Sequence, residues 1–128
     1  MMTDKSRMRL LLIEDNPGEA RLIQEMLVHA SSVIFDIVWA DSLRAGLTRL
    51  HEQEFDIMIL DLGLSDSQGL DTLKQIHAKY AEIPVVVVTM LSDESVGVQA
   101  VQLGAQDHLL KPQLTAPLLI RSLQYALE

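Results

Sequence analysis

The chain has 128 residues, 48% of them apolar, a net charge of −8 and no cysteine. That describes one domain with a single sizeable core, and it excludes wholesale disorder, disulfides and thiolate metal sites. The acidic balance argues against a general nucleic-acid or anionic-lipid partner, since both need a basic face, and no apolar run approaches the ~18 residues of a membrane span.

Read in order, residues 1–7 are expected to be a flexible tail ahead of a domain covering 8–128. Short β-like runs then alternate with longer amphipathic segments, the pattern of βαβ units on a parallel sheet. Strands are expected near 9–13, 34–39, 56–60, 84–89 and 107–110. The first, third and fourth are continuously apolar, as strands covered on both faces should be. The second, Ile34 to Trp39, is mixed and suits an edge. The first helix is expected from Pro17 to about Ala30, with Asn16 as its cap and Leu22, Ile23, Met26 and Leu27 inward. The second runs from Ser42 to about Gln53 and the third over about Leu70 to Tyr80. The fourth spans about Asp93 to Leu103 and is ended by Gly104. The fifth follows Thr115 to the chain end, with one stripe at Ile120, Leu123 and Leu127 and another at Leu118 and Tyr125.

Four apolar runs each end in a chemically useful residue. Leu10–Ile13 runs into Glu14 and Asp15, Ile57–Leu60 into Asp61, Val85–Val88 into Thr89, and Leu109-Leu110 into Lys111. If these runs are parallel strands, their carboxyl ends share the sheet edge at which open α/β folds bind ligands. Three carboxylates there repel one another unless a cation sits among them, and oxygen-only ligation suits Mg²⁺ or Mn²⁺. An aspartate is already ionised at neutral pH and needs no general base to act as a nucleophile. The metal and Lys111 would neutralise an incoming phosphoryl group, and the Thr89 hydroxyl can bond one of its oxygens. Taken singly, an acidic loop, a capping aspartate, a strand threonine and a surface lysine are all ordinary; their joint placement at strand ends is what points to a site. Glu14-Asp15-Asn16-Pro17-Gly18 is not a glycine-rich phosphate loop. His29, His51 and His77 lack metal-ligand spacing and read as helix-surface residues.

Together these residues resemble the receiver domain of bacterial two-component response regulators, in particular its chemotaxis-regulator-like form. The resemblance covers about Met8 to Glu128. It is carried by Leu11-Leu12-Ile13-Glu14-Asp15-Asn16, by Ile57 to Leu64 around Asp61, by Gly69-Leu70-Asp71, by Pro84 to Thr89, and by Gly104 to Pro112. It implies a three-layer, flavodoxin-like α/β fold with sheet order 2-1-3-4-5 and five helices. It implies that Asp61 accepts a phosphoryl group from a histidine kinase or phosphotransfer protein. Asp15, Asp61 and the Gly63 carbonyl would ligate Mg²⁺ directly, and Glu14 through water. Lys111 would pair with a phosphate oxygen, and Thr89 would swing toward it together with residue 108. The Lys111–Pro112 peptide would be cis. The surface of helix four, strand five and helix five would meet an output domain, an effector or, on phosphorylation, a second copy. No direct nucleic-acid or membrane contact is implied, and the setting is cytoplasmic.

Three departures from the family pattern carry expectations. Ser65 replaces a frequent proline, which should leave the loop after Asp61 less constrained. Met90 replaces a small residue and should crowd the phosphate. His108 replaces an aromatic residue, which should weaken its coupling to Thr89. Two other functions fit parts of the pattern: a receiver-like docking module working without phosphorylation, and a metal-dependent phosphatase with Asp61 as nucleophile. The phosphatase reading lacks a second carboxylate two residues after Asp61.

Overall fold

The strands are β1 (Ser6–Ile13), β2 (Val33–Ala40), β3 (Ile57–Asp61), β4 (Val85–Thr89) and β5 (Asp107–Leu110), all parallel in one sheet of order β2-β1-β3-β4-β5. The computed structural model describes residues 6–90 and 94–128. Five helices connect and cover the strands among the described residues: α1 (Pro17–Leu27), α2 (Leu43–Glu52), α3 (Leu70–Lys79), α4 (Glu94–Gln102) and α5 (Ala116–Leu127). This is the doubly wound, three-layer arrangement expected from the alternation.

The period of two along each strand divides the core. Leu11, Ile13, Met58, Leu60, Val85 and Val87 point to one face, where Leu43 and Leu50 of α2, Leu73 and Ile76 of α3 and Ala100 of α4 meet them. Leu10, Leu12, Ile57, Ile59, Val86 and Val88 point to the other, against Ala20, Ile23 and Leu27 of α1 and Leu119 and Leu123 of α5. β3 and β4 are buried along their whole length, which is why they read as unbroken apolar runs. β2 has one neighbour and keeps its mixed character.

The helix starts follow their caps. Asn16, Ser42 and Thr115 each accept a hydrogen bond from the backbone N–H three residues on. Gly69, at φ 70°, opens α3 in a conformation that other residues adopt at a cost.

Several expectations need correction. β1 begins at Ser6, and Arg7 pairs with Asp36 of β2, so residues 6 and 7 belong to the sheet and not to the tail expected over 1–7; residues 1–5 lie outside the described part. α1 stops at Leu27, short of Ala30, because His29 and Ala30 N–H groups turn back to Met26 and Leu27 in tighter three-residue bonds. Asp93, the expected start of the fourth helix, lies outside the described residues. No peptide bond among the described residues is cis, so Lys111–Pro112 is trans, against expectation. Lys111–Gln113 forms one 3-10 turn closed by Leu114 N–H donating to the Lys111 carbonyl at 3.1 Å. Proline suits such a first turn, where its φ is preset and no N–H is required. His77 is half-buried rather than a free surface residue: its ring fills the space beside Gly104, where a Cβ would come within 2.5 Å of it. The two stripes of α5 also divide differently. Leu119 and Leu123 are its buried apolar residues, Leu118 packs partly on the same core, and only Tyr125 stands well out.

Candidate phosphoacceptor and metal site

The parallel register aligns the carboxyl ends of β1, β3 and β4, pairing Ile13 with Leu60 and Asp61 with Val88. Glu14, Asp61, Thr89 and Lys111 therefore gather at one edge although up to 97 positions separate them, from Glu14 to Lys111. Asp61, Thr89 and Lys111 border an open cleft of about 750 Å³, which Asp15, Gly63 and Met90 also line.

Lys111 is the hub. Its Nζ lies 2.6 Å from Glu14 Oε1, 3.1 Å from Asp61 Oδ2 and 3.2 Å from Glu19 Oε2. The bond to Asp61 is a well-formed hydrogen bond, and Gly63 N–H donates to the other Asp61 oxygen at 3.0 Å. The contact to Glu14 is close but off-angle, so Glu14 Oε1 is fully buried without a hydrogen bond. Glu14 Oε2 accepts from Asn16 N–H at 3.2 Å.

Burial pushes the Glu14 carboxyl up to about 7, and the neighbouring Asp61 adds to this; Lys111 and the Asn16 N–H pull the other way. For Lys111, burial works to release the proton, but Glu14 and Asp61 outweigh it and hold the ammonium well above its ordinary range. The site thus stores a cation that does not titrate and a carboxyl that does so near neutrality.

The acidic set fits a divalent metal. Glu14, Asp15 and Asp61 each offer an oxygen, with these atoms all within 4.8 Å of one another. Glu14 Oε1 is a buried acceptor whose close contact is the Lys111 ammonium, with no well-formed hydrogen bond to hold it there. Hard oxygen donors of this kind suit Mg²⁺ or Mn²⁺.

Thr89 is buried, and its hydroxyl lies 2.9 Å from His108 Nε2. His108 therefore points inward. Burial holds its imidazole below the ordinary histidine value, with Asp107 opposing. Met90 lines the cleft but is 59% exposed, so its side chain stands at the rim and not inside.

The loop after Asp61 is not loose, despite Ser65. Gly69 N–H donates to the Leu62 carbonyl at 2.7 Å, and Leu64 N–H to the Ser67 carbonyl at 3.2 Å. The Ser67 and Thr72 hydroxyls lie 2.6 Å apart. The Asp66 carboxylate accepts from the first two N–H groups of α2, Leu43 at 2.9 Å and Arg44 at 3.0 Å. Those two bonds hold the Asp66 carboxyl below the usual carboxylate range. The loop's own Asp66 side chain, clamped onto the start of α2, restrains it in place of the missing proline.

Three contributors escaped the sequence reading. Glu19 sits three residues after the capping Asn16, a spacing that reads as a capping box. Trp39 donates its indole N–H to the Glu14 carbonyl at 2.7 Å, bracing the acidic pair from β2, and no motif signals it. Asp66 resembles any turn aspartate until the partner helix is in place.

Comparison with known proteins agrees with this geometry. The family model described as the response regulator receiver domain matches residues 10–123. Among curated relatives, the transcriptional regulatory protein ZraR of Escherichia coli K12 is 31% identical over 80% of this chain and 23% of its own length. The KDP operon regulator KdpE of the same organism is 31% identical over 80% of this chain and 44% of its own length. The chain thus spans about a quarter to half of these relatives, which support the receiver family and do not bear on a chemotaxis-type subclass. Among solved structures, the signal receiver domain of a LuxO repressor protein from Vibrio parahaemolyticus superposes with TM-score 0.84 and 29% identity, covering 94% of this chain and 90% of that one. A receiver domain from Clostridium thermocellum gives TM-score 0.82 at 24% identity over 94% of both chains, a likeness of fold. This chain belongs to the family of response regulator receiver domains.

Proposed function

We propose that the chain is a phosphorylation-dependent signalling switch that takes a phosphoryl group onto Asp61 from the phosphohistidine of a histidine kinase or phosphotransfer protein. The observation that carries this reading is the ion pair between Lys111 and Asp61 at 3.1 Å, beside two further carboxylates with metal-binding spacing. Glu14, Asp15 and Asp61, with the Gly63 carbonyl, would hold Mg²⁺ or Mn²⁺. A bound divalent cation would supply charge neutralisation for the transferring group.

The protein's own residues account for the remaining chemistry. Asp61 offers a carboxylate oxygen, and the carboxylate is kept oriented by the Gly63 N–H at Oδ1 and the Lys111 ammonium at Oδ2. That oxygen attacks phosphorus as the P–N bond breaks. The electron pair of that bond stays on the departing imidazole, which leaves neutral when its other nitrogen carries a proton. Lys111 then pairs with a phosphoryl oxygen, and Thr89 turns its hydroxyl from His108 toward another. That exchange ties phosphorylation to His108 on β5 and, through the packing of His108 on Gly97, to α4. The face formed by α4, β5 and α5 exposes Val98, Val101 and Tyr125. It would engage an output domain, an effector or a second phosphorylated copy. The curated relatives are transcriptional regulators, and this supports an output partner of that kind. Nucleic acid is not contacted by this domain directly, and the switch would operate in the cytoplasm.

The test is labelling by acetyl phosphate or phosphoramidate with Mg²⁺ present. Asp61→Asn should abolish labelling and leave the circular-dichroism spectrum unchanged. Labelling of the variant at wild-type stoichiometry would overturn the assignment. A wild-type chain that takes no label and still binds its partner would favour the phosphate-independent docking module.

A further inference from the structure

We propose that Glu19 is a gate on Lys111: it holds the ammonium's third contact until a phosphoryl oxygen displaces it, and so it sets the rate and the donor preference of Asp61 phosphorylation. This rests on Asp61 being the phosphoacceptor, as proposed above.

An ammonium has three hydrogens. Around Lys111 stand three carboxylates, Glu14, Asp61 and Glu19, at 2.6, 3.1 and 3.2 Å. Only the Asp61 contact is a well-formed hydrogen bond, but all three oxygens stand at ion-pair distance from Nζ, and an incoming phosphoryl oxygen competes with them for that space. Glu14 is fully buried, and its side chain has no solvent to move into. Asp61 is the reacting group. The Glu19 side chain is 33% exposed, so its carboxylate can turn to water with little loss. Of the three carboxylates it is the one nearest to solvent, which makes its contact the one that breaks.

A bland role for Glu19 does not fit its contacts. At the third position of α1 after the Asn16 cap, a glutamate would reach back to the Asn16 N–H and complete a capping box. That N–H is already taken by Glu14 Oε2 at 3.2 Å. The Glu19 carboxylate goes to Lys111 instead, while its own backbone N–H stays bonded to Asn16 Oδ1 at 3.0 Å. The backbone is thus anchored and the side chain alone can swing. Its negative charge also lies on the cleft through which an anionic donor must pass. The repulsion grows with donor charge and is screened by salt.

The experiment compares wild-type chain with Glu19→Ala and Glu19→Gln in Mg²⁺-dependent labelling, across ionic strength. The donors are acetyl phosphate, which loses acetate, and phosphoramidate, which loses ammonia and carries one negative charge fewer. Both variants should label about two- to fivefold faster with acetyl phosphate at low salt, the size of one weak ion pair. The gain should shrink with added salt and be smaller with phosphoramidate. Equal rates for all three proteins would overturn the gate, and so would a gain indifferent to salt and donor charge, which marks unspecific loosening. In unphosphorylated protein, the Lys111 ammonium hydrogens should exchange with solvent faster in both variants by nitrogen-15 NMR; unchanged exchange would overturn the contact itself. Glu19→Gln keeps the side-chain length and serves where Glu19→Ala perturbs the fold. A wild-type chain labelled by neither donor would instead bring down the Asp61 reading.

Discussion

His108 Nε2 lies 2.9 Å from Thr89 Oγ1, and a Cβ at Gly97 would come within 2.6 Å of the same ring's Nδ1. The imidazole is therefore packed between β4 and an α4 residue that has no side chain. It is held there by one hydrogen bond and by the space at Gly97. Gly97→Ala should push the ring outward and raise the His108 pKa toward its ordinary value, because burial is the main cause of its depression. Histidine proton titration by NMR measures this. A depressed pKa places the stabilising contribution above the unfolded value of 6.5, and it is lost as pH falls below it. Acid should therefore loosen the Thr89–His108 contact in the wild type and matter less in Gly97→Ala.

Glu14 gives the opposite pH dependence. Its carboxyl is raised from 4.5 to about 7 in the folded protein, so the folded state binds more protons than the unfolded state between those values. The metal-free domain should lose stability as pH rises through that window, by up to about 3 kcal/mol if this group acted alone. Glu14→Gln should remove this part of the slope in urea titrations at several pH values. Mg²⁺ affinity should rise over the same window, as the carboxylate becomes available to the cation.

Asp66→Ala should destabilise the domain by about 1 kcal/mol, since it removes the acceptor for the first two N–H groups of α2. Hydrogen exchange should speed up at Leu43 and Arg44 and across the loop from Leu62 to Gly69. The Asp66 pKa is lowered, so this contribution is present above the ordinary value of 3.8 and fades as pH falls below it. Exchange confined to α2, with the loop unchanged, would show that Asp66 caps the helix without restraining the loop.

The exposed residues of α4 and α5 separate binding from folding. Val101→Glu and Tyr125→Glu change side chains that are 50% and 65% exposed, and each should alter stability by under about 0.5 kcal/mol. If this face carries the partner, the pair should abolish phosphorylation-linked self-association in sedimentation while labelling of Asp61 continues. Leu118→Glu is a poorer probe, because Leu118 packs on the core and its charge would destabilise the fold.

The sequence by itself determined the alternation of strands and helices, the burial of β3 and β4, and the strand-end positions of Glu14, Asp15, Asp61, Thr89 and Lys111. Those features are local: an apolar run of five residues declares a covered strand, and an Asn-Pro pair declares a helix start. What tertiary structure decided were the partners of side chains whose neighbours lie far along the chain. Asp66 meets α2 across 23 residues at Leu43, Trp39 braces Glu14 across 25, and His108 meets Thr89 across 19. Glu19 lies near the acidic pair in sequence, yet it pairs with Lys111 because Glu14 has already taken the Asn16 N–H. The trans bond before Pro112 follows from the same kind of cause: the chain leaves β5 through a 3-10 turn that accepts proline as it stands. Periodicity records which face a residue presents to the core, but a hydrogen bond or ion pair depends on atoms brought together only when the sheet and its helices have packed.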